Sequence, residues 1–233
     1  MTDSAVRIER LITSGTFSLD GETFDVDNNV WIIGDDSTVV VIDPAHNPDA
    51  IAEAVGEREV SAILLTHGHD DHIRYVFDAQ AKLGDPPILL NPADSVLWDQ
   101  VFEDRQPTSR IDDGDTFTVA GLRLSALHTP GHSPGSTCFY IAEGLTGAGV
   151  PEDVRGTTGP DAEVPVLLSG DTLFNGGPGA TGRSYSSFDT IIESIRERLF
   201  ALPEDTIVLT GHGDSTSIGA EKPHLQEWID RGH

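Results

Sequence analysis

The sequence predicts an α/β fold with layered sheets, on three observations. Apolar runs of strand length alternate with segments of helical periodicity. The alternation occurs in two successive halves, with no internal repeat and no low-complexity tail. Four polar clusters rich in His and Asp each begin where an apolar run ends, as binding loops do at one edge of a sheet with helical connections. One domain over 1–233 is the expectation for a chain of this length.

The elements follow in order. Strands are expected at "VRIERLI" (6–12), "NNVWIIG" (28–34) and "STVVVID" (37–43), the last two separated by a turn at Asp35-Asp36. "NPDAIAEAVGE" reads as a helix with Asn47 as N-cap and Pro48 at its first position, where a missing N–H costs nothing. "VSAILLT" (60–66) is a continuous apolar run, consistent with a strand buried on both faces. A helix from about Ile73 to Leu83 and a short strand "PPILL" (86–90) come next. "DTFTVAGLRLSALHT" (115–129) and "GSTCFYIAE" (135–143) alternate, as in a sheet covered on one side. The Gly-, Pro- and Asp-rich stretch 144–165 reads as an exposed hairpin insertion. "VPVLLSGD" (164–171) is a further buried strand and "SFDTIIESIRERLFAL" (187–202) an amphipathic helix. "DTIVLTGHG" (205–213) is the last strand, leading to a helix at "AEKPHLQEWID" (220–230).

Composition narrows the function classes. The net charge is −25 and lysine occurs only at Lys82 and Lys222, so the surface repels a phosphate backbone and nucleic acid is not an expected partner. No run of about 18 apolar residues is present, so no membrane-spanning helix is expected. The start "MTDSAVRIERLITSG" has no apolar core of a signal peptide, and the lone Cys138 cannot pair internally; both fit a reducing cytoplasm. Cys138 lies mid-strand and reads as a small buried hydrophobe.

"HGHDDH" places three histidines and two aspartates in six residues behind an apolar run. Charge beside a core is costly unless paired, and a metal ion is the usual partner for so much imidazole. His67 and His69 lie two apart on a loop and can turn to one point, whereas Asp71 and His72 point elsewhere as a helix begins. One cation cannot take all four; two can, if other loops complete each shell. His132 in "TPGHSPG" completes the first, His212 in "TGHGD" the second, and Asp171 in "SGDTLF" offers two oxygens to bridge them. Gly68, Gly131, Gly170, Gly211 and Gly213 allow tight turns beside these residues. "GDT" or "GHG" alone is only a turn signal; the combination is what points to a site. His46, His128, His224 and His233 carry no partner pattern and read as structural or surface residues. Asp43 in "VIDPAH" is expected to hydrogen-bond a neighbouring loop, behind the histidines.

In this order, "THGHDDH", "TPGHSPGS", "GDTLF" and "GHG" resemble the motifs of the metallo-β-lactamase superfamily, and within it the glyoxalase II-like hydrolases, from about Val6 to Ile218. The resemblance implies an αββα sandwich with metals at one edge of two sheets. It implies His67, His69 and His132 as ligands of one ion, Asp71, His72 and His212 as ligands of the other, and Asp171 as the shared carboxylate. Two divalent ions are implied, zinc foremost, with iron or manganese also suited to imidazole and carboxylate. β-Lactamases of the main subclass have a cysteine where this chain has Asp171, which argues against lactam hydrolysis.

The implied reaction is attack on a carbonyl by a metal-bound hydroxide, with Asp71 orienting the nucleophile or receiving protons. A thioester suits this chemistry, because a thiolate departs without protonation; the partner expected is a small-molecule thioester of a low-molecular-weight thiol. Arg183 and Tyr185, in the glycine-rich "GDTLFNGGPGATGRSYSSFD", are the substrate-binding residues expected; Arg183 either meets a substrate carboxylate or anchors its loop. After "GHGDSTSIGAEKPHLQEWIDRGH" no C-terminal helical domain of the kind that contacts glutathione in full-length glyoxalase II is expected. The chain also resembles a compact actinobacterial-type subgroup, which implies esters of other small thiols such as mycothiol. Two alternatives stay open: a persulfide dioxygenase holding one iron through the residues matching His67, His132 and Asp171, and a non-catalytic metal-binding module.

Overall fold

The computed structural model describes residues 5–156 and 158–232. The first sheet runs in chain order: β1 (Arg7–Leu19), β2 (Glu22–Gly34), β3 (Thr38–Ile42), β4 (Glu59–Leu64), β5 (Ile88–Leu90) and β6 (Ser109–Arg110). β1 to β3 pair antiparallel and β3 to β6 parallel. The later strands are β7 (Thr116–Val119), β8 (Leu122–His128), β9 (Thr137–Ile141), β10 (Val166–Gly170), β11 (Leu173–Phe174), β12 (Gly177–Pro178), β13 (Ile207–Thr210) and β14 (Thr216–Ser217). The second sheet has the order β14-β13-β10-β9-β8-β7, while β11 and β12 form a separate two-stranded ribbon.

Alternation along the strands builds the layers. Trp31, Ile33, Val40, Ile42 and Leu64 of the first sheet face Leu124, Phe139, Val166, Leu168 and Leu209 of the second across the central core. Their neighbours Val30, Ile32, Val39, Val41 and Ile63 face outward, onto helices α1 (Pro48–Val55), α3 (Val76–Lys82) and α4 (Ser95–Val101). On the far side Cys138, Leu167 and Val208 pack on α5 (Phe188–Ser194), its π-helical continuation Ile195–Leu199, α6 (Ile218–Glu221) and α7 (Leu225–Arg231). The result is an αββα sandwich. No helix among the described residues is long and apolar enough to cross a membrane.

Four local expectations are corrected. The first two strands extend well past 6–12 and 28–34, pairing from Arg7↔Gly34 to Leu19↔Glu22 around a two-residue Asp20-Gly21 turn, both residues with positive φ. The helix expected from Ile73 is split: α2 (Asp70–Ile73) starts earlier, directly after His69, and Tyr75 leaves helical geometry before α3 begins. Pro223 interrupts the last helix, which becomes α6, a 3₁₀ turn Lys222–His224 and α7. Finally, 144–165 does close as a hairpin through a Thr146–Glu163 bridge, but Leu145, Val150, Val154 and Val164 are buried and plug one end of the central core.

Candidate metal centre

All four polar clusters follow the C-terminal ends of strands: His67 and His69 after β4, His132 after β8, Asp171 after β10 and His212 after β13, with Asp71 and His72 in α2. The side chains converge in two groups. The ligand atoms of His67, His69 and His132 lie within 4.8 Å of one another, as do those of Asp71, His72 and His212. Asp171 stands between them. Its Oδ2 is 3.3 Å from His212 Nε2 and 3.6 Å from His132 Nε2, and its Oδ1 is 3.6 Å from His72 Nε2. Asp43, His67 and His72 also form a close group, but the Asp43 oxygens are committed to the hydrogen bonds below.

Four of the five imidazoles are turned by a bond on the far side, which fixes the tautomer and leaves one nitrogen for the centre; the fifth, His69, meets His132 Nε2 through its Nδ1 at 3.0 Å. His132 Nδ1–H donates to the Ala180 carbonyl at 2.9 Å, and His212 Nδ1–H to the Asp27 carbonyl at 2.7 Å. His72 Nδ1–H donates to Asp43 Oδ2 at 2.9 Å. Asp43 also accepts from the Thr66 N–H and hydroxyl, and that hydroxyl accepts from His67 Nδ1 at 3.0 Å. His67 Nε2 is thereby left buried with no hydrogen-bond partner, and so is Asp171 Oδ1. Orphaned buried polar atoms cost about 1–3 kcal/mol each, a penalty that coordination removes.

Burial pushes the His69 imidazole down to about 3, and burial with the neighbouring imidazoles holds His67 well below its ordinary range. Both are neutral at pH 7, as a ligand must be. For His72 and His212 burial opposes charge, but carboxylates prevail: Asp71, Asp171 and Asp43 raise His72 to about 9, and Asp171 and Asp71 raise His212 to about 11. Asp71 in turn is drawn down to about 2 against its burial by His72 and His212. The surrounding carboxylates thus favour the protonated form of these two imidazoles, and a divalent cation competes with protons there. Affinity at this cluster should fall as pH drops and rise as pH climbs towards 9. Calorimetric titration with a divalent metal at pH 7, in two buffers of different ionisation enthalpy, should show proton release; heats independent of buffer would refute it.

Supports that the sequence reading missed hold the loops together. Asp94, fully buried ahead of α4, accepts from Gly68 N–H at 2.7 Å, Ser133 Oγ at 2.8 Å and Gly135 N–H, binding the two first-cluster loops to each other. Asp94→Ala leaves the buried Gly68 and Gly135 N–H groups unpaired and is expected to cost roughly 3 kcal/mol in denaturant unfolding; a change under about 1 kcal/mol would show the loops to be held otherwise. Asn29 and Trp31 of β2 donate to the Thr210 carbonyl, and Asn29 also to Gly213, fixing the His212 loop to the opposite sheet. Asn28 donates to Asp71 Oδ2 at 2.9 Å.

Above the clusters is a cavity of about 280 Å³, walled by Phe17, Phe24 and Val26 of the long hairpin and by Phe174, Ala180 and Arg183, with His69, Asp71, His132, Asp171 and His212 at its base. The Arg183 guanidinium lies 4.9 Å from the Phe24 ring centre, and its Nη1 is 3.8 Å from the Glu22 carboxylate, without a hydrogen-bond partner. Tyr185 has positive φ, is 53% exposed and lies outside this lining. His128 braces its loop by bonding the Pro134 carbonyl at 2.9 Å, and His224 pairs with Glu227 at 3.4 Å. His46 is half-buried against Asn28, and His233 lies outside the described residues. Burial raises the Cys138 thiol to about 11, so it is inert.

Comparison with known proteins agrees with this geometry. The chain is 30% identical over 207 residues to the probable metallo-hydrolase YqgX of Bacillus subtilis, covering 83% of this chain and 89% of that one. It is 29% identical over 207 residues to the hydroxyacylglutathione hydrolase GloC of Haemophilus influenzae, covering 83% and 87%. The crystal structure of TTHA1623 in a di-iron-bound form superposes with a TM-score of 0.65 at 28% identity, over 84% of this chain and 93% of that one. Residues 23–144 match the family model of the Metallo-beta-lactamase superfamily. With its αββα layers and its paired His/Asp clusters of metal-binding type, the chain belongs to that superfamily.

Proposed function

We propose that the protein is a dinuclear metal-dependent hydrolase that cleaves a thioester of a low-molecular-weight thiol. The observation that carries the two-ion reading is Asp171, whose carboxylate stands 3.3–3.6 Å from imidazole nitrogens of both clusters. The orphaned His67 Nε2 and Asp171 Oδ1 fit the same assignment. His67, His69 and His132 would hold one ion, Asp71, His72 and His212 the other, and Asp171 both. Imidazole and carboxylate donors suit zinc first, then iron or manganese.

Divalent ions bound there would acidify water and polarise a carbonyl oxygen. The chain's own residues do the rest. Asp71, on the cavity base, orients the attacking water. Phe17, Phe24 and Phe174 exclude bulk water and give an acyl or thiol chain an apolar wall, while Arg183 offers a cation to a substrate anion. A thiolate, from a thiol of pKa about 8.5, needs no proton to leave. Similarity to GloC supports the hydrolase reading of the family; the thioester is our inference from this leaving-group chemistry. The acidic surface disfavours nucleic acid as an alternative substrate.

The test pairs element analysis of freshly purified protein with thiol release from a panel of S-acyl thiols. About two ions per chain with thiol release supports the proposal. One iron per chain with oxygen uptake on a persulfide would replace it by a dioxygenase. No turnover of thioesters, lactones or persulfides by metal-replete protein would leave a binding module.

A further inference from the structure

A hydrogen-bonded chain runs from Asp71 away from the cavity. Asn28, buried in β2, donates its Nδ2–H to Asp71 Oδ2 at 2.9 Å, and its Oδ1 lies 2.7 Å from His46 Nε2. A carboxylate only accepts, so the amide has one orientation: nitrogen towards Asp71, oxygen towards His46. His46 must then carry its proton on Nε2. The acid at one end sets the direction of every bond in the chain.

His46 is itself confined. Its backbone has φ of 58°, a region few non-glycine residues adopt, so the loop after β3 presents the ring in one pose. The ring lies flush against Gly15 of β1, where a Cβ would come 2.1 Å from Nδ1 and 2.5 Å from Cγ. Hairpin backbone on one side and Asn28 on the other clamp the imidazole. Gly15, His46 and Asn28 all lie outside the lining of the cavity above the clusters.

We propose that Asn28 and His46 are positioning residues for the second cluster, holding the Asp71 carboxylate in the rotamer that serves a cation together with His72 and His212. The inference rests on the reading that this cluster takes a cation. Asp71 Oδ2 is 3.3 Å from His212 Nε2 and 3.4 Å from His72 Nε2, so its contacts on the centre side are ones that an arriving cation would rearrange. Asn28 gives the same oxygen an anchor from outside the cluster. The neighbouring Asn29 already ties the hairpin to the other sheet through Thr210 and Gly213, which leaves Asn28 free for this separate task.

The test titrates chelator-stripped full-length protein with Zn²⁺ against a chromophoric competitor, which resolves the two binding events. Asn28→Ala and His46→Ala should weaken one event, that of the second cluster, about 10–100-fold and leave the other unchanged. His46→Gln, whose amide N–H can reach Asn28, should restore most of that affinity. Gly15→Ala, which pushes the ring from outside the site, should reproduce the loss, whereas Thr16→Ala beside it should not. Circular dichroism and thermal melting confirm that each variant folds. Two events in the wild type, with unaltered second-site affinity in folded Asn28→Ala and Gly15→Ala, would overturn the positioning role alone. Equal weakening of both events would overturn it too, as general damage. A single event in the wild type would remove the second cation, and with it both the reading and the role.

Discussion

Asp171→Ala should lower turnover on the order of 10³-fold and cut the bound metal below two ions per chain, in a protein that still folds. The carboxylate lies within 3.6 Å of imidazoles from both clusters, so its removal loosens two shells at once. It also removes a charge that, with Asp71, favours the protonated form of His72 and His212, and the clustered imidazoles would then face each other with less compensation. Folding should survive, because Asp171 follows the end of β10 and the core contacts of that strand come from Val166 and Leu168. Inductively coupled plasma analysis and steady-state kinetics on a thioester are the measurements. Two ions per chain and undiminished kcat would exclude Asp171 from the centre.

Gly211→Ala should be nearly as severe, for a steric reason. A Cβ at this position would lie 2.1 Å from Asp171 Oδ1 and 3.2 Å from His72 Cε1. The backbone cannot recede to make room: Gly211 N–H donates to the Gly170 carbonyl at 2.9 Å, and the Gly211 carbonyl accepts from Asn29 N–H at 2.7 Å. The carboxylate must therefore move, and a displacement near 1 Å at a reacting centre costs about 10²-fold in rate. Overpacking should add a stability loss of about 1–3 kcal/mol. Unchanged melting temperature together with full activity would show that the loop has slack that these hydrogen bonds deny.

The site was legible in the sequence because its parts are local. "HGHDDH" declares itself by density, and His132, Asp171 and His212 each follow an apolar run, so strand ends alone bring them to one edge. The supports are different in kind. Asp94 in "LLNPAD" looks like a helix-capping residue, and Asn28 like the start of a strand; their roles exist only once distant loops meet them. Residues 13–27 escaped for another reason. They are polar or exposed on most positions, so no burial contrast marks them, and the Asp20-Gly21 turn was not among those expected. Chain direction through Tyr75 and Pro223 likewise turns on tertiary contacts and a ring that periodicity alone does not weigh.

The long hairpin does one thing more. Its tip is fastened at two points, by Ser18 N–H to Asp70 and by Asp20 to Ser184 N–H, while the residues that brace the centre, Asp27, Asn28, Asn29 and Trp31, lie further along β2. Trimming or lengthening such a ribbon in paired steps preserves its register and its inward and outward faces. The molecule thus has a constant hearth under an adjustable chimney: evolution can raise or lower the flue to admit different molecules while the fire below stays lit.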